Sequence, residues 1–393
     1  MSNDSFTTTT NTSWFSRIGN AIGGIIFGVI LFLGSFVLLT WNEGRAIQRE
    51  KTLTAGASQV ISISADELLA DNDGKLVHFS GDAMADGPVE DPIFGIQAEA
   101  LKLRRDVEMY QWQQSEKSET KQKLGGGEET VTTYSYSKGW SSMVIDSSQF
   151  HVPDGHSNPG SMAADSAMFE AEGIHVGEFD LPPSLVAMID NFTPLPATAE
   201  QAKSLIERHG APFQLTVGGA LYLGEDPASP QVGDLKITFQ QAEPGPVSVI
   251  AGQVGTTLEP FSIGKMGTIE LLKIGTVSAA TMFQQEQEGN AMLTWILRLV
   301  GFLMMLFGLL MVTNVVSVVA SVIPFLGTIV GAGFGLMAFA VALPLTLTTI
   351  ALAWIAYRPL IGIPLLVLAG VSIFFAGSKL LKKNQKKLQP VAE

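Results

Sequence analysis

The distribution of apolar residues predicts that the chain crosses a membrane several times. Within residues 295–377 only Arg298 and Arg358 are charged. Each crossing needs about 20 mostly apolar residues, because a helix rises about 1.5 Å per residue across a hydrocarbon core of about 30 Å. Pro324 and Pro359 mark the breaks, since a proline disfavours helix at the residue before it. We therefore predict three transmembrane helices in this region, at 294–320, 326–354 and 360–377.

An uncharged run near the start of the chain predicts one more span. It extends from Ile18 to Trp41 and is bounded by Arg17 and Glu43. A cleaved signal peptide is the competing interpretation, but its apolar core would be about 7 to 15 residues long and would end at a small-residue cleavage site. The run is longer than that, so we predict a transmembrane helix at 17–41.

The polar segment between these spans has the pattern of a β-rich α+β domain, at 42–293. The predicted fold class is therefore an integral membrane α-helical protein with four transmembrane helices and a large inserted soluble domain. Aromatic and β-branched runs predict strands at 76–81, 106–112, 130–140, 212–223, 235–240 and 247–253. Capping residues and apolar periodicity predict helices at 64–70, 181–192, 198–209 and 278–293, the last continuous with the following span.

Three segments lack an apolar period. Residues 1–16 are rich in Thr, Ser and Asn and are predicted to be a disordered tail. Residues 115–129 are charged and contain three consecutive glycines, which indicates the flexible, exposed tip of a long hairpin. Residues 378–393 carry five lysines, and basic residues beside a span favour the cytoplasmic side. With four spans both termini are then cytoplasmic, and 42–293 lies across the membrane.

Charge and composition exclude some classes of function. The formal net charge is −13, and residues 42–293 carry 35 acidic and 16 basic residues. Such a surface repels phosphate backbones, so no nucleic-acid partner is expected. The chain contains no cysteine, which removes disulfides, thiol catalysis and cysteine-ligated metals.

Two histidines are the candidate metal ligands. His151 and His156 flank a Pro-Asp-Gly turn, and a loop could bring both imidazoles, with Asp146 or Asp154, to one ion. The favoured interpretation is that His156 orders the loop through bonds to the backbone. A Ser-His-Asp hydrolase site is left open because triads are scattered along chains, although no nucleophile elbow or phosphate-binding glycine loop is present. We predict a protein without catalytic residues, cofactor or metal.

Residues at the predicted membrane boundary form a second group of candidates. They are Trp41, Glu43, Arg45, Arg105, Glu108, Trp295 and Arg358. One interpretation is that Trp41 anchors a helix exit while the neighbouring charges extend into water. We favour the other, in which Glu43 or Arg45 pairs with Arg105, Glu108 or the helix before Trp295 and fixes the domain on its spans.

Glycines four residues apart are the strongest signal inside the spans. They are Gly19, Gly23, Gly24 and Gly28 in the first span, and Gly327, Gly331 and Gly335 in the third. Small residues at this spacing let two helices approach closely, and packing holds helices together in lipid. The contact is either within one bundle or between copies of the chain. A transport path is disfavoured, because the spans lack paired ionisable residues.

Several motifs resemble those of a known membrane protein family. They include Trp41-Asn42-Glu43-Gly44-Arg45, Asp91-Pro92-Ile93-Phe94-Gly95, Lys102-Leu103-Arg104-Arg105-Asp106-Val107-Glu108-Met109-Tyr110-Gln111-Trp112, His156-Ser157-Asn158-Pro159 and Tyr357-Arg358-Pro359-Leu360. In their order and spacing the chain resembles the LUMA family, also called transmembrane protein forty-three. The resemblance implies four spans with a large domain between the first two, and no catalytic residues. Animal members look like nuclear-envelope and endoplasmic-reticulum proteins that self-associate and help to organise membranes.

These observations predict a non-enzymatic membrane scaffold. Its expected partners are membrane lipids, further copies of itself and other membrane proteins. The alternatives are a channel or lipid-handling protein, which needs a continuous conduit, and a membrane-anchored hydrolase with a site near His151 and His156. We expect a bacterial member of the family, located in the inner membrane with residues 42–293 in the periplasm.

Overall fold

A computed structural model describes residues 4–357 together with Val367 and Val371. The described residues divide into two compact units. The first, which we call the β-rich unit, comprises the residues up to Thr8, Thr52–Ser118 and Val131–Gln285. The second, the helical unit, comprises Thr9–Lys51, Glu119–Thr130 and the residues from Glu286 onwards.

Five α-helices occur among the described residues. They are α1 Trp14–Ala57, α2 Pro183–Val186, α3 Ala199–His209, α4 Ala279–Ala320 and α5 Pro324–Tyr357. Three of them, α1, α4 and α5, are long and apolar enough to cross a membrane. They contain the predicted spans 17–41, 294–320 and 326–354, whereas the predicted span 360–377 and the basic tail 378–393 lie outside the described residues. The predicted continuity of 278–293 with the next span is confirmed, because α4 is one unbroken helix.

The described chain also forms nineteen strands, which confirms a large β-rich domain. They are β1 Ser5–Thr12, β2 Ile61–Ser62, β3 Leu76–Met84, β4 Val89–Asp91, β5 Ile96–Ala98, β6 Lys102–Gln122, β7 Glu128–Ser141, β8 Ala167–Glu170, β9 His175–Val176, β10 Phe179–Asp180, β11 Thr193–Leu195, β12 Phe213–Leu215, β13 Leu221–Leu223, β14 Leu235–Ala242, β15 Gly245–Val254, β16 Thr257–Glu259, β17 Phe261–Ser262, β18 Thr268–Ile269 and β19 Leu271–Ile274.

Two large sheets carry the cores of the β-rich unit. The first has the order β1-β7-β6-β14-β13-β12, and its β6–β14 pair is antiparallel from Leu235 opposite Met109 to Ala242 opposite Lys102. The second has the order β19-β15-β16-β10-β9-β3-β2, with a further pairing of β15 and β3. Its centre is apolar, and the rings of Phe79 and Phe179 stack there with centroids 4.6 Å apart.

Two segments expected to lack order are strands. Residues 1–16 were predicted to be a tail, but β1 pairs with β7 and α1 already begins at Trp14. Polar β-branched threonines suit a strand, and pairing through the backbone needs no apolar period. The predicted flexible tip at 115–129 is also mostly strand, because β6 continues to Gln122 and β7 resumes at Glu128. Thr120 and Thr130 pair their hydroxyls across it at 3.0 Å.

The predicted short helices have different outcomes. Helix 198–209 is confirmed as α3, which Thr198 and Gln201 begin with a reciprocal capping box and Gly210 ends at a φ of 65°. The prediction at 181–192 is too long, since only the four residues of α2 are helical. The prediction at 64–70 is wrong, because Ala65 is buried and its carbonyl accepts a bond from the backbone of Glu178. A local capping pattern cannot reveal such a tertiary bond.

Candidate functional site in the helical unit

A buried carboxylate joins three helices of the helical unit. Glu43 of α1 is 1% exposed and accepts two hydrogen bonds from Arg298 of α4, from Nε at 2.7 Å and from Nη2 at 2.8 Å. The indole Nε1 of Trp354 in α5 donates a third. The guanidinium of Arg298 also lies 4.7 Å from the ring centroid of Trp295. In these four residues, which we call the Glu43 clamp, the buried carboxylate is paired with a guanidinium through charge-assisted hydrogen bonds.

The residues beside Glu43 add further hydrogen bonds between α1 and α4. Asn42 donates to the carbonyl of Thr294 at 3.1 Å, and Arg45 donates to Asn290 Oδ1 at 3.0 Å. At Gly44 an added Cβ would lie 2.8 Å from Tyr357 Oη, so a side chain there would displace the tyrosine. The motif at 41–45 is therefore a helix-packing motif, apart from Trp41, which is 57% exposed.

The predicted partners of Glu43 are only partly those in the structure. Arg45 does contact α4 before Trp295, but Glu43 pairs with Arg298 rather than with Arg105 or Glu108. Arg105 is instead buried against Asp91 at 2.6 Å in the β-rich unit, and Glu108 pairs with Lys236 on the neighbouring strand. Arg358 lies outside the described residues. Sequence reasoning missed Arg298, although it is one of only two charges within 295–377.

The N-terminal end of α1 carries a second cluster. Arg17 Nη2 lies 2.8 Å from Glu128 Oε1, and its Nη1 donates to Ser321 Oγ at 2.9 Å and to the carbonyl of Gly126. Trp14 Nε1 donates to the carbonyl of Val318 at 3.0 Å. The hairpin tip therefore contacts the start of α1. This does not fit the prediction that the tip and the N-terminal tail lie on opposite sides of the membrane.

One cavity adjoins this cluster, and a second cavity adjoins the first. The first, which we call the polar cavity, has a volume of about 510 Å³ and is lined by Thr12, Arg17, Asn20, Ala21, Gly24, Gln122, Glu128, Met311, Asn314 and Val318. The second, the apolar groove, has a volume of about 450 Å³ and is lined by Phe307, Leu310, Met311, Thr313, Asn314, Ser317, Gly331 and Phe334. Met311 and Asn314 line both cavities, so the two adjoin along α4.

The predicted glycines are used in different ways. Gly28 packs against α4, where an added Cβ would lie 2.8 Å from the carbonyl oxygen of Gly308, and Gly327 packs equally tightly on Ser321. Gly24 lines the polar cavity, and Gly331 lines the apolar groove. At Gly19, Gly23 and Gly335 an added Cβ would have no described atom within 4 Å. Sequence reasoning missed Gly301 and Gly308, which α4 presents closely to α1.

The two candidate metal ligands stack on tyrosines of the β-rich unit. The ring of His151 lies 4.2 Å from that of Tyr134, and the ring of His156 lies 3.9 Å from that of Tyr136. His156 Nδ1 donates to the carbonyl of Val152 at 2.8 Å, and its Nε2 lies 2.9 Å from Asp4 Oδ2. Within the described residues no three His, Asp or Glu side chains are arranged to hold a metal ion.

Comparisons with known proteins give relatives over nearly the whole chain. The family model described as Transmembrane protein 43 matches residues 109–359. Transmembrane protein 43 of Homo sapiens is 36% identical over 389 residues, which cover 96% of this chain and 95% of the relative. The protein of the same name from Rattus norvegicus is 36% identical over 94% of each chain. The Transmembrane protein 43 homolog of Drosophila melanogaster is 30% identical over 88% of this chain and 92% of its own length.

These relatives are animal proteins, so they give no support to the expected bacterial source, inner membrane and periplasm. No solved structure matches the chain. The apolar helices and the similarity along the whole chain both identify a multi-pass integral membrane protein. The chain belongs to the Transmembrane protein 43 family.

Proposed function

We propose that the protein is a non-enzymatic membrane scaffold that self-associates through the first glycines of α1. The observation that carries the proposal is the open surface at Gly19 and Gly23, where an added Cβ would meet no described atom within 4 Å. Ile26 and Ile30 follow on the same helical face and are 68% and 60% exposed. Two glycines four residues apart, flanked by apolar side chains, are the usual surface for close helix pairing in lipid.

The charged groups of the helical unit support a structural role rather than catalysis. Glu43 has donors from two other helices, and Arg17 has acceptors from the hairpin tip and α4. A nucleophile or acid–base group needs a free position towards a substrate, and the Glu43 carboxylate is occupied by Arg298 and Trp354. We propose further that 360–377 forms a fourth span, that the basic tail is cytoplasmic, and that lipids and other membrane proteins are the remaining partners.

Particle mass tests self-association. The protein is extracted together with its native lipids by a polymer, without detergent, and its mass is measured. The expected result is a discrete oligomer for the unaltered chain and a single subunit for the Gly19→Leu/Gly23→Leu variant, because the larger side chains hold the helices apart. Gly333→Leu is the matched control, since Gly333 is equally open but lies on α5.

Two outcomes would overturn the proposal. One is a single subunit for the unaltered chain. The other is an oligomer that the double variant leaves intact, which would assign the open face of α1 to another part of the same chain.

A further inference from the structure

We propose that a phospholipid with a zwitterionic phosphoethanolamine head group occupies the two adjoining cavities of the helical unit. Its head group would fill the polar cavity, and one acyl chain would follow the apolar groove. This inference deepens the lipid-binding part of the proposed function and does not depend on self-association.

The first argument comes from the exposed amides that line the polar cavity. Asn20, Gln122 and Asn314 all line the polar cavity, and all three are exposed within the described structure. Asn20 and Asn314 belong to α1 and α4, inside otherwise apolar helical runs. A polar group left without a partner against hydrocarbon is unfavourable. The cavity therefore suits an occupant that both donates and accepts hydrogen bonds.

The second argument comes from charge. Arg17 and Glu128 are the charged residues among those that line the polar cavity, and they lie 2.8 Å apart. Their charges cancel, so an anionic head group would bring an uncompensated charge. A zwitterion complements both charges of the pair. Its phosphate can accept hydrogen bonds from Arg17 and from the amide NH₂ groups. Its primary ammonium can donate to Glu128 and the amide oxygens, which a trimethylammonium cannot do.

The third argument comes from depth. Trp14 and Arg17 precede the uncharged run that begins at Ile18, and Trp and Arg side chains are suited to the head-group layer at the end of a span. The apolar groove shares Met311 and Asn314 with the polar cavity and continues along α4 to Phe307, and Gly331 also lines it. A head group at the interface and a chain directed along α4 correspond to one lipid molecule.

Native mass spectrometry with lipid competition tests the inference. The full-length protein is stripped of lipid and reconstituted with equal amounts of phosphatidylethanolamine, phosphatidylcholine and phosphatidylglycerol. The lipids retained per subunit are then counted as collision energy rises. The expected result is one retained phosphatidylethanolamine per subunit, held about tenfold more often than either competitor.

Three variants locate the site. Asn20→Leu/Asn314→Leu removes two of the amides, and Gly331→Leu fills the groove; both are expected to lose the retained lipid. Gly333→Leu adds the same bulk two residues away, outside the residues that line the groove, and is expected to keep it. Helix content and melting temperature are recorded for each variant, so that loss of lipid by a folded protein is distinguished from unfolding.

Equal retention of the three lipids, or equal retention by all variants, would overturn the inference. The same spectra give the number of subunits, so lipid loss without dissociation is separated from failure of the scaffold proposal. A protein that is a single subunit and still retains one phosphatidylethanolamine would overturn self-association alone.

Discussion

The two ends of the apolar run in α1 carry the same pair of residue types in opposite environments. At one end Glu43 is 1% exposed and its partner Arg298 is 14% exposed, and Trp354 also donates a hydrogen bond to Glu43. At the other end Arg17 is 10% exposed but Glu128 is 26% exposed, and a cavity lined by three exposed amides lies beside them. An arginine–glutamate pair therefore does not define a site. The exposure of the pair and of the polar groups around it does.

Removing the buried Glu43–Arg298 ion pair is expected to cause the largest loss of unfolding free energy. Glu43→Gln removes the charge that Arg298 faces, and an uncompensated buried charge costs about 3–5 kcal/mol of unfolding free energy. Denaturant titration in micelles measures this quantity. Glu128→Gln is the matched control, and as a partly exposed pair it should lose about 1 kcal/mol or less. Equal losses for both variants would remove the distinction between the two ends.

A smaller loss of unfolding free energy is expected from substitutions of the α1 glycines that lie between Arg17 and Glu43. Gly28→Ala places a methyl group 2.8 Å from the carbonyl oxygen of Gly308, and such overpacking costs about 1–3 kcal/mol. Gly24→Ala has no described atom within 4 Å and should be neutral or slightly stabilising, because Ala favours helix over Gly. The comparison is made by unfolding titration, and a loss at Gly24 equal to that at Gly28 would contradict the close approach of α1 and α4.

The third experiment uses substitutions that are expected to leave stability unchanged. It tests whether the hairpin tip and the start of α1 lie on the same side of the membrane. The chain has no cysteine, so single cysteines can be labelled without background. Phe15 and Leu124 are 77% and 88% exposed. Phe15→Cys and Leu124→Cys should react with a membrane-impermeant thiol reagent added to the same side of sealed vesicles. Labelling from opposite sides would contradict the contact between the hairpin tip and the start of α1.

The sequence predicts those features that depend on local pattern. Uncharged runs locate the three helices that can span a membrane, and Thr198 with Gln201 locates the start of α3. Strand β1 could not be predicted, because its stabilising bonds run from its backbone to β7. The Asp91–Arg105 pair depends on how β4 and β6 are placed, which periodicity does not reveal. A buried partner for Arg298 could have been predicted from the sequence, since a lone charge inside an apolar run needs one.

The contacts of Trp14 and Arg17 have a consequence for the end of α4. The last carbonyls of a helix lack partners within it and carry partial negative charge. Here Trp14 donates to Val318, Arg17 brings a positive charge to Ser321, and Gly125 donates to the carbonyl of Val322 at 3.1 Å. Residues remote in sequence thus act together as a C-terminal cap. A chain shortened to begin at Ile18 would lose much of that cap, so its α4 should fray before the bend into α5.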